Sequence, residues 1–142
     1  MEIANEEKFK IRVAGCFVEY GGRFLILHRR SEKSQGGKWG LPAGKVDKGE
    51  TDKDAVIREV AEETAFQIPP DKLKFLQEIK WDFSEKIVEF VVYKTELASR
   101  IEVKLNPHEH QDFAWVTGKE CYARNDLMHG VRDLLQKVGY AS

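Results

Sequence analysis

The alternation of apolar and polar positions divides the chain into a few elements. Residues 10–20 and 23–29 are two runs rich in β-forming side chains on either side of Gly21-Gly22, the pattern of a β-hairpin. Residues 31–38 are polar and contain Gly36-Gly37, so they read as a loop. Residues 39–46 are too broken by Pro42 and Gly44 for a helix. Thr51 is placed to cap a helix, with Asp54 at its third position in the weaker Asp form of a capping box. That helix is predicted to run to about Ala65, and Pro69-Pro70 prevents its continuation. Residues 72–81 and 85–97 read as two further strands. The apolar stretch 87–93 in the second predicts burial on both faces. Residues 112–116 form a short strand, and residues 117–120 carry a second capping box. The last helix is predicted to open at Asn125 or Asp126. Leu127, Val131, Leu134, Leu135 and Val138 would share one face, and Gly139 would stop it. Strands interleaved with two long helices predict an α/β (α+β) fold, a mixed sheet between helices.

Length and composition narrow the class. A chain of 142 residues with no repeat or linker reads as a single domain over residues 1–142. Cys16 and Cys121 form no CxxC or metal spacing, which predicts free thiols in a reducing compartment. The acidic residues 1–7 are followed by no signal-peptide core, and no apolar run is long enough to span a membrane. The expectation is therefore a cytoplasmic protein without a membrane partner. The formal net charge is −1, which argues against long nucleic acid as a partner. The total conceals an asymmetry. Residues 23–43 carry five bases (Arg23, Arg29, Arg30, Lys33, Lys38) against Glu32 alone, whereas residues 44–66 carry seven acids against four bases.

The acids are concentrated on the first predicted helix. With Glu59 at 0° and about 100° per residue, Glu62 falls at about −60° and Glu63 at about +40°. Ile57, Val60, Ala61 and Thr64 then form the core face. Three carboxylates on one arc have two readings: a solvated acidic surface, or oxygen ligands for a hard cation. Helix geometry alone leaves both open.

The spacing around these residues resembles a known signature. Gly44, five residues, Glu50, seven residues, then Arg58-Glu59-Val60-Ala61-Glu62-Glu63-Thr64-Ala65-Phe66 is similar to the box of the Nudix hydrolases, matching eight of its nine specified positions over 23 residues. The lead-in Trp39-Gly40-Leu41-Pro42-Ala43-Gly44 is also similar. The departure is Ala65, where the family has a glycine that ends the helix in a left-handed turn.

The resemblance implies a Nudix-like α/β/α sandwich and Mg²⁺-dependent hydrolysis, with Mn²⁺ as an alternative ion, of a nucleoside diphosphate linked to another group. Carried over by position, Glu59, Glu62 and Glu63 would ligate metal, joined by Glu50 and by the backbone at Gly44. Arg58 would pin Glu59. Arg29, Lys38 and Lys45 are candidates for holding phosphates. Glu109, in the loop before the last strand, is a candidate general base or extra ligand, while His108 and His110 read as polar loop residues. Phe83 is a candidate for stacking on the base, with Trp81, Tyr93 and Phe17 as further aromatic candidates. Asn125 resembles in position the asparagine that reads the purine in MutT-type enzymes, and otherwise reads as a helix cap.

The expected activity is that of a MutT-type (d)NTP pyrophosphohydrolase releasing a nucleoside monophosphate and pyrophosphate. The alternatives are a nucleotide-sugar or dinucleoside polyphosphate hydrolase and a non-catalytic nucleotide-sensing module. Retention of Glu50, Glu59, Glu62 and Glu63 counts against the sensor. The partner expected is a small-molecule nucleotide, and a homodimer is compatible with all of these readings.

Overall fold

The computed structural model describes residues 8–140. Strand β1 (Phe9–Tyr20) turns through Gly21 and Gly22, at φ 60° and 78°, into β2 (Arg23–Arg29). Both turn positions need positive φ, which glycine adopts without steric cost. Two short strands follow, β3 (Trp39–Gly40) and β4 (Ala43–Lys45), then helix α1 (Asp52–Thr64). A 3-10 turn (Pro70–Lys72) leads into β5 (Lys74–Asp82), β6 (Lys86–Glu96) and β7 (His110–Val116). Helices α2 (Gly118–Tyr122) and α3 (Val131–Lys137) complete the described chain.

The seven strands make one mixed sheet with the path β3-β2-β1-β6-β5. β1 pairs parallel with β6 from Phe9↔Lys86 to Glu19↔Glu96, and β5 runs antiparallel to β6. The other edge of β1 is divided. Its first half takes β4 at Val13↔Lys45, Ala14↔Gly44 and Gly15↔Ala43, and its end takes β2. β7 lies antiparallel to β2.

Period-two alternation sends neighbouring side chains to opposite faces. Ala14, Cys16, Val18, Leu25 and Leu27 pack with Ala55, Val56 and Val60 of α1. Phe17, Phe24 and Ile26 pack with Cys121 of α2 and Val131, Leu134 and Leu135 of α3. The result is an α/β/α sandwich, as the resemblance implies. No helix among the described residues is long and apolar enough to cross a membrane.

Three local expectations are corrected. The last helix opens at Val131 rather than at Asn125 or Asp126. The preceding segment runs extended past Trp39, whose N–H donates to Asp126 O (2.8 Å) and whose carbonyl accepts from Met128 N–H (2.8 Å). Gly130, at φ 85°, then redirects the chain into the helix. Strand β6 is not buried on both faces: Val88 and Phe90 are half-buried, because they line a cleft. On α1, Ile57 and Ala61 are half-buried, while Val56, Val60, Glu63 and Thr64 are buried. The core face is thus rotated toward the carboxylates.

Candidate active site

Helix α1 begins where Thr51 accepts the Asp54 N–H (3.1 Å). It ends at Ala65, held at φ 65° and ψ 13°, whose N–H closes on Ala61 O. Alanine thus adopts the left-handed turn expected of the family glycine. Packing of Ala55, Val56 and Val60 on the sheet sets the rotation of the helix, which carries Glu63 inward, leaves Glu59 half-buried and keeps Glu62 on the solvent flank. Glu63 is 8% exposed, whereas the Glu62 side chain is 54% exposed.

Arg58 organises the outer part of the site. It grips Glu50 with Nε (2.8 Å) and Nη2 (3.0 Å) and donates from Nη1 to Glu59 (2.8 Å) and from Nη2 to Lys45 O (3.0 Å). Glu62 lies on the same Nη1 at 3.4 Å. A forked guanidinium satisfies several acceptors at fixed angles, so one side chain ties the 45–50 loop to α1. Arg58 and the Asp47 N–H together hold the Glu50 carboxyl down to about 2.

The inner carboxylates behave oppositely. Burial raises Glu59, with Arg58 opposing. Burial pushes Glu63 well above the usual carboxylate range, and the neighbouring charge of Glu59 adds to it. Glu63 accepts one hydrogen bond, from Ala43 N–H at 2.9 Å. Gly44 explains how the carboxylates come so close to backbone. A Cβ there would sit 2.1 Å from Glu59 Cδ, so only glycine admits Glu59 against β4.

Glu63, Ala43 and Gly44 border a cleft of about 680 Å³. One part of its lining is Arg29, Ala43, Gly44, Lys45, Glu63 and His110; another is Trp81, Phe83, Lys86 and His129. The Phe83 and His129 rings lie 5.0 Å apart and those of Trp81 and His129 5.7 Å apart.

The sequence candidates sort as follows. Gly44, Glu50, Arg58, Glu59 and Glu63 come together, with Glu62 at their edge. Arg29, Lys45 and Phe83 line the cleft, as does Trp81. Glu109 lies beside it, 3.6 Å from Arg29 and 3.4 Å from Lys33. Lys38 and Asn125 are exposed and outside the lining, because the extended segments on either side of Trp39 turn them away. Asn125 is not a helix cap either, since α3 opens later. Phe17 stacks on Tyr140 in the core, and Tyr93 packs with the α1 face. Not every base of this stretch reaches the cleft: Arg23 pairs with Glu120 and Arg30 with Glu32.

His110 is a correction. It is 6% exposed, lines the cleft and faces Arg29 across the sheet, and its Nδ1 has no hydrogen-bond partner among the described residues. Burial lowers it to about 4. Alternation along the sequence does not predict this: a register shift between His28 and Arg29 takes His110 out of the pattern that runs from Val116 to Asp112. Gln35 and His129 also line the cleft, each from a loop that carries no motif in the sequence.

Among the described residues, no three His, Cys, Asp or Glu side chains form a ready metal cage. The donors do suit a hard divalent cation. Glu63 is a buried and Glu59 a half-buried carboxylate of like charge, Glu59 packed against Gly44 where a Cβ would not fit and Glu63 bonded to the Ala43 N–H. Mg²⁺ is commonly held by one or two carboxylates with water and substrate phosphate completing the shell, so a full protein cage is not required.

Comparison with known proteins identifies the family. The NUDIX domain family model matches residues 9–138. The nucleoside triphosphatase NudI of Escherichia fergusonii is 31% identical over 137 residues, covering 86% of this chain and 92% of that protein. The CTP pyrophosphohydrolase of Escherichia coli K12 is 24% identical over 111 residues, 78% of each chain. The crystal structure of a MutT protein from Methanosarcina mazei Go1 superposes with TM-score 0.80 at 28% identity, covering 94% of this chain and 95% of that one. Some other relatives are matched over less of their length; the chain spans 14% of the putative nudix hydrolase 1 of Caenorhabditis elegans. A family match over nearly the whole sheet, together with the box carboxylates gathered against Gly44, places the chain in the Nudix hydrolase family, enzymes that act on phosphoric anhydrides.

Proposed function

We propose that the protein is a nucleoside triphosphate pyrophosphohydrolase of the MutT type. The observation that carries this reading is the buried Glu63 beside the half-buried Glu59, which packs against Gly44, at a cleft that also presents Phe83. Charge-binding and stacking surfaces thus occur in one cavity, the combination a nucleotide needs. In the reaction, a water oxygen bonds to one phosphorus of the α–β anhydride and the bridging P–O bond breaks. Nucleoside monophosphate and pyrophosphate leave.

Bound Mg²⁺, or Mn²⁺, would supply neutralisation of the anhydride charge and a more acidic water. Glu59 and Glu63 would hold it, with Glu50 and Glu62 at its outer side and the Gly44 backbone alongside. Arg58 keeps Glu59 and Glu50 in register and is a positioning residue. Arg29 and Lys45 offset phosphate charge from the cleft wall, and Phe83 stacks on the base. Glu109, steered by Arg29 and Lys33, accepts the proton of the attacking water. Lys38 and Asn125 lie away from the cleft and take no part in these steps.

A panel of (d)NTPs, nucleotide sugars and dinucleoside polyphosphates with Mg²⁺, with both products identified, tests the reading. Pyrophosphate release from a triphosphate is expected, and turnover of sugar nucleotides or dinucleotides alone would overturn it. Glu109→Gln is expected to lower kcat far more than it raises KM. Unchanged turnover would remove Glu109 from the mechanism. Glu63→Gln separates an enzyme from a sensor: the enzyme loses orders of magnitude in rate, whereas a sensor keeps most of its affinity for nucleotide.

A further inference from the structure

The loop between β2 and β3 is held more firmly than a polar surface loop needs to be. Arg29 N–H donates to Lys38 O (2.9 Å), Gly37 N–H to Arg29 O (2.9 Å), and Arg29 Nε to Ser34 O (2.7 Å). Gly36 packs so closely that a Cβ would lie 2.2 Å from Ser31 O. At the centre of this loop Gln35 sits at φ 56°, a left-handed conformation that is costly for a residue with a side chain. Its side chain spans to the opposite loop, where Oε1 accepts the His129 N–H at 2.7 Å. That loop is itself fixed: Gly130 packs so tightly on the Trp81 ring that a Cβ would lie 2.4 Å away, and Trp81 Nε1 donates to Asp133 (3.1 Å). Gln35 and His129 both line the cleft with Phe83.

The bond to His129 settles which end of the Gln35 amide is which. A backbone N–H can only donate, so it takes the carbonyl oxygen, and the NH₂ group remains. Nε2 donates to nothing among the described residues. An anchored side chain on a strained backbone thus offers two unused N–H donors in the cleft that Phe83 also lines. We infer that Gln35 determines base specificity, donating from Nε2 to the exocyclic keto oxygen of a base stacked on Phe83. Keto bases (guanine or hypoxanthine at O6, uracil or thymine at O4) accept at that position. Adenine and cytosine present an amino group there, which would face the amide donors head-on. The inference rests on the nucleotide reading of the cleft.

The test is Gln35→Glu and Gln35→Ala. A carboxylate retains the acceptor for His129 N–H and replaces the donor with a second acceptor. The ratio of kcat/KM for GTP, ITP and UTP over ATP and CTP is compared with the ratio of Kd for GMP over AMP, all with Mg²⁺. Wild type is expected to favour keto bases by on the order of tenfold. Gln35→Ala is expected to level the ratio and Gln35→Glu to reverse it, with Tm retained in Gln35→Glu. A Gln35 that only latched the two loops together would change activity or Tm alike for all bases and leave the ratio unmoved. That result would overturn the inference, as would a wild-type preference for ATP and CTP. If wild type hydrolyses no triphosphate, the proposed function fails, while the Kd ratio and its response to Gln35→Glu still decide this assignment.

Discussion

Glu63 is a carboxylate placed where a carboxylate is costly. It is buried, it feels Glu59, and it receives one backbone N–H in return. Without a cation the ionised form destabilises the fold, so Glu63→Gln is expected to raise the Tm of metal-free protein at neutral pH while abolishing turnover. A Tm below that of wild type in EDTA would contradict this account. His110 gives a second prediction at the same scale, of opposite sign. Burial lowers its folded pKa to about 4 from an unfolded value of about 6.5. Between those values the unfolded chain binds more protons than the folded one, so this contribution is present above pH 6.5 and is lost as pH falls to about 4. Glu63 works against it in part of the range, because its folded pKa is raised and its penalty fades on acidification. The difference in Tm between wild type and His110→Asn isolates the histidine: it is expected to shrink as pH falls from about 7 to about 4, and a difference flat with pH would refute the assignment.

Helix α1 is where local chemistry and the site coincide. Thr51 starts it, Ala65 ends it in a left-handed turn at φ 65°, and the rotation between those points sends Glu63 inward and leaves Glu59 half-buried. Alanine in that turn carries a penalty of about 1 kcal/mol that glycine avoids, partly offset by glycine's greater freedom when unfolded. Ala65→Gly is therefore expected to raise stability by a fraction of that amount in urea denaturation with the m-value unchanged. A loss would mean that contacts of the alanine methyl outweigh the strain. Such features were legible in the sequence because they depend on nearby positions: the Gly21-Gly22 hairpin, both Thr caps and the box spacing. What was not legible depends on distant pairing. Leu127 fits a helical stripe with Val131 and Leu134, yet its segment is spent on hydrogen bonds to Trp39. The burial of His110 requires β7 to lie against β2, and the role of Gln35 requires a partner 94 residues away. Of the bases in the charge run, Arg29 reaches the cleft, whereas Arg23 and Arg30 pair with Glu120 and Glu32, a division that only the fold decides.

Across the whole molecule, the site joins parts of the chain that meet only when folded: β4 and the 45–50 loop on one side, α1 on the other. Arg58 is one tie between them, and the close packing of Glu59 on Gly44 is another. A divalent cation between Glu59 and Glu63 would be a third, and it has no equivalent in the unfolded chain, where these groups are solvated and apart. Binding to the folded state alone stabilises by about 2.7 kcal/mol at a hundred times Kd. For a chain of this size that corresponds to a rise in Tm on the order of 8 °C. Thermal unfolding with and without saturating Mg²⁺ is expected to show this gain in wild type. Glu59→Gln and Glu63→Gln are expected to lose most of it, as is Gly44→Ala, whose Cβ displaces the Glu59 carboxylate. Glu62→Gln, altered at the exposed flank, is expected to keep the larger part. Equal Mg²⁺ gains in wild type and Glu63→Gln would place the cation elsewhere and remove the Glu59 and Glu63 pair from its binding.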